Sequence, residues 1–153
     1  MKIMDILVRD SVILDLESTS KDALLAELAG SLAKAVPALD AEHLVKVLRD
    51  REALQSTGIG DGVAIPHGKM AGLDRLVASF ARSPEGVDFE SIDRRPTHHF
   101  FLLVVPEHSG GQYLKALARI SRFFRDAAFR QQLTNAEEQG DIIRAIAEED
   151  TKL

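Results

Sequence analysis

Cysteine is absent from the 153 residues, which excludes thiol catalysis, disulfides and thiolate metal sites together. Imidazole, hydroxyl and carboxylate are left to carry any chemistry. No apolar run approaches the roughly 20 residues that a membrane-spanning helix needs, so membrane insertion is not expected. No basic run occurs either, and the formal net charge is −5. Non-specific nucleic-acid binding needs clustered Lys and Arg to displace counterions, so nucleic acid is not an expected partner. The opening Met-Lys-Ile-Met-Asp has no uninterrupted apolar core and no small-residue cleavage site, so no secretory signal is read and the cytosol is the expected compartment.

What is present is an ordinary globular balance, 45% hydrophobic and 28% charged, in a chain long enough to bury most of its apolar surface. One domain spanning residues 1–153 is expected. Ser11 to Leu16 reads as a short strand. Thr19 and Ser20 then offer caps before Leu24, Leu25, Leu28 and Leu32 recur at helical spacing. Pro37 breaks that helix, Asp40 offers a new cap, and Leu44, Val45, Leu48 and Leu54 carry a second helix into a glycine-rich turn.

Between Ser56 and Lys69 the pattern predicts a loop, a brief strand and a loop, since Gly58, Gly60, Gly62 and Gly68 surround the short run Val63-Ala64-Ile65. Leu76 to Ala81 and Phe100 to Val105 read as strands, the second apolar throughout as a central strand must be. From Gly111 a helix is expected with Leu114, Leu117, Ser121 and Phe124 on one face, then a shorter one around Phe129 and Leu133. Asn135 with Glu138 is read as the capping box of a last helix. Helices and strands interleave, which predicts an α/β fold with one central, mostly mixed sheet and helices on both faces.

The segment from Arg51 through Ser56-Thr57-Gly58, Gly60-Asp61-Gly62 and Ile65-Pro66-His67-Gly68-Lys69 resembles the signature of the enzyme IIA family of the bacterial phosphotransferase system, mannitol/fructose type, nitrogen-regulatory branch. The resemblance is long, and looser similarity extends over nearly the whole chain. It implies that His67 accepts a phosphoryl group from an HPr-type histidine phosphocarrier protein. The group is then passed on or used as a signal to a downstream regulatory protein or permease subunit, without a metal or other cofactor. It also identifies Arg51 with the family's active-site arginine.

The residue types suit that chemistry. An imidazole with a reference pKa of about 6.5 offers a neutral nucleophilic nitrogen near neutral pH. Phosphoryl transfer through a loose transition state asks the protein mainly for positioning and donors. Arg51, sixteen positions before His67, has a planar fork suited to two phosphate oxygens, although a cation at a helix end is also favoured by the helix dipole alone. Gly58, Gly60, Gly62 and Gly68 are read either as a nest of backbone N–H groups for an anion or as ordinary turn formers. Ser56 and Thr57 serve equally as hydroxyl donors or turn residues, and Glu52 is read as a solvated partner.

The family often carries a second histidine at the start of the helix after the Leu-Leu-Val-Val-Pro strand; here that position is Tyr113. Its hydroxyl and the helix N-terminus still suit an anion. His108 is either a replacement that swings in or an exposed loop residue. His98 and His99, adjacent on a strand, should face opposite sides, one packed and one exposed. His43 is expected on the surface. No His-x-x-x-His or His-Glu-x-x-His spacing exists to hold a metal. A regulatory docking module of the same fold, with weak onward transfer, is the alternative that Tyr113 leaves open.

Overall fold

A computed structural model describes residues 1–153. Its organising element is β5 (Thr97–Pro106), whose apolar run serves two cores at once. Phe101, Leu103 and Val105 enter one cluster of buried side chains, and Phe100, Leu102 and Val104 enter the other. A strand buried on both faces has no polar side to show, which is why the run is continuous.

Antiparallel to β5 runs β4 (Val77–Val87). On the opposite edge of β5, β2 (Val63–Ala64) and β3 (His67–Met70) lie one after the other, both parallel to it, with Val63 paired to His99 and His67 to Leu103. β1 (Gly58–Gly60) forms a hairpin with β2. Its Asp61-Gly62 corner has φ of +56° and +76°, the positive pair that a type I′ turn demands. The expected loop, strand and loop is thus three short strands.

One face of this mixed sheet is covered by α1 (Lys21–Ala35) and α2 (Ala41–Leu54). α3 (Gln112–Phe123), α4 (Ala127–Asn135) and α5 (Gln139–Lys152) cover the other. The expected architecture is the observed one. Ser20 caps α1 by accepting a hydrogen bond from the Ala23 amide at 3.2 Å, and Leu24, Leu25, Leu28 and Leu32 are buried as their spacing requires.

Three local expectations are corrected. Ser11 to Leu16 is not a strand: a 3-10 turn occupies Arg9–Ser11, and Ile13 makes only an isolated parallel bridge to Ala81. The Ser11 hydroxyl bonds back to the Val8 carbonyl at 2.6 Å, so a local turn interrupts the run along the edge of β4. In α3 the buried stripe is Ala116, Ile120 and Phe123, flanked by Tyr113 and Leu117, while Leu114 is 64% exposed. Leucines at both 114 and 117 allowed either stripe, and contact with the sheet chose between them. The last capping box is Glu138 with Asp141, whose carboxylate accepts the Glu138 amide at 3.0 Å; Asn135 instead ends α4.

His98 and His99 also depart from alternation. Both amides donate to the Gly62 carbonyl, at 2.8 and 2.9 Å. One acceptor opposite two residues is an irregularity of the β-bulge kind, and both side chains reach the same cavity.

Candidate functional site

The site is set by the break between β2 and β3. Pro66 has no N–H to offer the sheet, but its carbonyl accepts the Leu103 amide at 3.0 Å, so the chain rejoins β5 immediately after the interruption. His67 is the first residue of β3 and is half-buried. Its Nδ1 lies 2.8 Å from the Ile65 carbonyl. A carbonyl only accepts, so Nδ1 carries the proton and Nε2 keeps its lone pair. The His67 pKa is lowered, chiefly by burial and further by the nearby Arg51 charge; the Ile65 carbonyl and Glu52 act in the opposite direction. The ring is therefore neutral at pH 7.

His67 opens onto a recess of about 430 Å³ between the C-terminal end of α2, β3 and the first turn of α3. Val47, Arg51, Leu54, Gly68, Lys69 and Tyr113 contribute to its lining. Gly68 makes this approach possible: a Cβ there would lie 2.6 Å from Val47 Cγ1, so α2 packs on β3 only where no side chain intervenes. Its φ is not in the left-handed region, which corrects the nest reading for this glycine.

Arg51 Nη1 donates to the Gln55 carbonyl at 2.8 Å, satisfying one of the orphan acceptors at the end of α2 and steadying the guanidinium. The Tyr113 ring centroid is 5.7 Å from that of His67, tilted by 52°. Lys69 Nζ stands 5.7 Å from the Tyr113 centroid, a cation over an aromatic face. Lys69 was not among the sequence-derived site residues. The signal was there, because residues two apart on a strand face the same side and His67 and Lys69 share β3.

The remaining sequence candidates lie elsewhere, and Ser56, Thr57, Gly58, Gly60, Gly62 and His108 do not line this recess. The Ser56 hydroxyl donates to the Phe89 carbonyl at 2.8 Å and accepts the Gly58 amide at 3.1 Å. Thr57 is buried, with its amide 3.0 Å from Glu52 Oε1 and its hydroxyl also donating to that carboxylate. Glu52 is thus not the solvated residue expected; it is 7% exposed and also pairs with Lys21 Nζ at 3.0 Å.

Gly58 is needed for close approach, since a Cβ would meet Ser91 Cα at 2.9 Å. Gly60 and Gly62 do adopt positive φ, but Gly60 adjoins Asp93 and Gly62 adjoins His98. His108 is exposed in the loop after β5 and makes no hydrogen bond to the protein. Residues spaced correctly along a signature were drawn together by adjacency in sequence, whereas the hairpin turn carries Gly60 and Gly62 away from the β3 end.

The profile of the phosphoenolpyruvate-dependent sugar phosphotransferase system EIIA 2 family matches residues 5–149. A nitrogen regulatory protein of Bradyrhizobium diazoefficiens is 37% identical over 147 residues, covering 96% of this chain and 95% of that protein. The fructose-specific EIIABC component of Bacillus subtilis is 36% identical over 150 residues, covering 98% of this chain, which spans only 24% of that longer protein. Among solved structures, the nitrogen regulatory protein IIA-Ntr of Neisseria meningitidis superposes with a TM-score of 0.87 at 32% identity, over 94% of this chain and 98% of that one. IIA mannitol from Escherichia coli shares the fold, with a TM-score of 0.75 at 17% identity over 90% and 96% of the two chains. With His67 at the mouth of the recess and a match running over nearly all its length, the chain belongs to the phosphotransferase-system EIIA 2 family.

Proposed function

We propose that this chain is a cytosolic phosphoryl carrier that takes a phosphoryl group onto Nε2 of His67 and acts as a nitrogen-regulatory component of the phosphotransferase system. The observation that carries the assignment is the hydrogen bond from His67 Nδ1 to the Ile65 carbonyl, which leaves Nε2 as the free lone pair beside Arg51, Lys69 and Tyr113. The donor is an HPr-type histidine phosphocarrier. Nε2 attacks its phosphorus, the new N–P bond forms as the donor's N–P bond breaks, and the donor's ring nitrogen recovers the electron pair. The proton stays on Nδ1, hydrogen-bonded to the Ile65 carbonyl, throughout.

The developing charge lies on the equatorial phosphoryl oxygens, so catalysis reduces to positioning and charge. Arg51 meets those oxygens with its remaining N–H groups, Lys69 adds a second cation, and Gly68 keeps the recess open. The Tyr113 hydroxyl donates where a second histidine often stands in this family. Ser56, Thr57 and the Gly58 to Gly62 hairpin act one step away, by shaping the turn that leads from α2 to β2.

The regulatory branch is supported by the likeness to nitrogen regulatory proteins, the Bradyrhizobium relative at 37% identity and the Neisseria structure at 32%. The whole of residues 1–153 serves as one carrier domain, and the phosphoryl group or its signal goes to a regulatory protein or a permease subunit. No helix is long and apolar enough to cross a membrane. Incubation with the phosphorylated donor should give an acid-labile adduct on wild type and none on His67→Ala; an undiminished adduct on that variant refutes the assignment. A second reading, a docking module with weak onward transfer, draws on Tyr113. It requires phosphorylated and unmodified protein to differ in affinity for one partner, and equal affinities would remove it.

A further inference from the structure

The hydrogen bond from His67 Nδ1 to the Ile65 carbonyl is the last link of a longer line of contacts. The Ile65 amide donates to the Thr57 carbonyl at 3.1 Å, one rung beyond the Gly58 to Ala64 pair of the hairpin of β1 and β2. Thr57 is itself held at two atoms by Glu52. Its amide lies 3.0 and 3.1 Å from the two carboxylate oxygens, and its hydroxyl donates to the same carboxylate. Glu52 in turn pairs with Lys21 Nζ at 3.0 Å. The line therefore runs from α1, through the end of α2 and the hairpin, to the ring of the nucleophile.

Each link is constrained. The Glu52 side chain is buried and all of its polar contacts are donors, an environment that a carboxylate satisfies and an amide does not. Lys21 is the first residue of α1, where a cation opposes the helix dipole. Glu52, and the Phe89 ring 4.7 Å from Nζ, offset that placement. Thr57 and Ile65 are buried, so neither finds water as another partner. Pro66 confines Ile65 to extended geometry, and the aim of the Ile65 carbonyl then follows from where the Ile65 amide is held.

That aim decides the chemistry open to His67. The tautomer of an imidazole is set by the hydrogen bond that its other nitrogen makes, and the ring makes no second hydrogen bond to the protein. With Nδ1 on the carbonyl, Nε2 keeps its lone pair. With the carbonyl turned away, the proton can sit on Nε2, and no electron pair is then offered at the recess.

We propose that Glu52 is a positioning residue for phosphoryl acceptance: acting through Thr57 and Ile65, it holds His67 in the tautomer with Nδ1 protonated and Nε2 bare. Lys21 is its counter-ion. The inference rests on the carrier reading of His67 and adds to it residues that do not touch the phosphoryl group, since Lys21, Glu52 and Thr57 do not line the recess.

In the full-length protein labelled with nitrogen-15, the two His67 ring nitrogens are read at pH 7 by long-range correlation to the ring protons. Phosphoryl acceptance from the HPr-type donor is timed in parallel and normalised to the folded fraction, so a loss of stability alone moves neither reading. Wild type should show Nδ1 protonated and Nε2 bare. Glu52→Gln and Thr57→Val should both move the ring toward the opposite tautomer and slow acceptance by about threefold or more, within the worth of one hydrogen bond. Thr57→Ser restores the hydroxyl and should restore both readings. Thr57→Val keeps the side-chain shape and leaves Glu52 its amide and lysine partners, so it tests the line even where Glu52→Gln fails to fold. A wild type that accepts no phosphoryl group overturns the carrier reading and this one with it. A wild type with the proton on Nε2, or variants that move only one reading or neither, overturns this inference alone.

Discussion

The rings of His67 and Tyr113 stand 5.7 Å apart and tilted by 52°, although 46 positions separate them in the chain. α3 begins beside the mouth of β3, which brings the tyrosine against the histidine. Two substitutions separate its ring from its hydroxyl. Tyr113→Phe keeps the packing and should slow phosphoryl acceptance about tenfold, the worth of roughly one hydrogen bond. Tyr113→His should speed transfer to an acceptor protein. Stopped-flow or quench measurement of both rates checks this, and a Phe variant as fast as wild type would leave the hydroxyl without a role.

Arg51→Lys keeps the positive charge and discards the fork. The carrier reaction should fall about ten- to a hundredfold, in line with the 1.5 to 3 kcal/mol roughly expected of a charged hydrogen bond. The melting temperature should change little, because Arg51 is half-buried and its guanidinium makes a single hydrogen bond, to the Gln55 carbonyl. An unaltered rate with a lowered melting temperature would reassign Arg51 to helix capping.

Gly68→Ala puts a methyl 2.6 Å from Val47 Cγ1. It should destabilise the fold by about 1–3 kcal/mol in urea unfolding, the usual cost of overpacking. Adding Val47→Ala should restore part of the loss, since the two positions share one gap. Purely additive effects would show that the clash is relieved elsewhere.

The His99 pKa lies near 4 through burial and the charges of His98, Arg82 and Arg130. In the unfolded chain the ring titrates near about 6.5. Between those values the unfolded chain binds the proton and the folded one does not. The associated stability is therefore whole above pH 6.5 and is lost as pH falls toward 4. It amounts to about 3 kcal/mol over that span, at about 1.4 kcal/mol per unit. His67, also lowered, acts in the same direction. His99→Phe, flanked by Phe80 and Phe124, should flatten most of that slope in unfolding measured from pH 7 to 4; an unchanged slope would place its source elsewhere.

The five helices, the two-faced strand β5, the leucine stripe of α1 and the phosphoryl-acceptor signature were legible in the linear sequence. Each depends on neighbours within a few positions: period 3.6 or 2, a proline, a capping serine. Glu52 shows where that reading stops. Its type and its place near the end of a helix suggest a solvated carboxylate, but the turn after α2 folds the Thr57 amide and hydroxyl onto it and α1 brings Lys21 to it.

Chain-local regularities thus determined which residues could carry phosphate and roughly where the helices and strands run. Which residues meet was decided by packing. A Cβ-free contact at Gly68 sets how closely α2 approaches β3, and a bifurcated carbonyl at Gly62 turns two adjacent histidines toward one cavity. The hairpin carries the glycines away from the nucleophile they precede. Such contacts depend on surfaces distant in sequence, and burial changes the hydrogen bonding and charge of a side chain in ways its immediate neighbours do not encode.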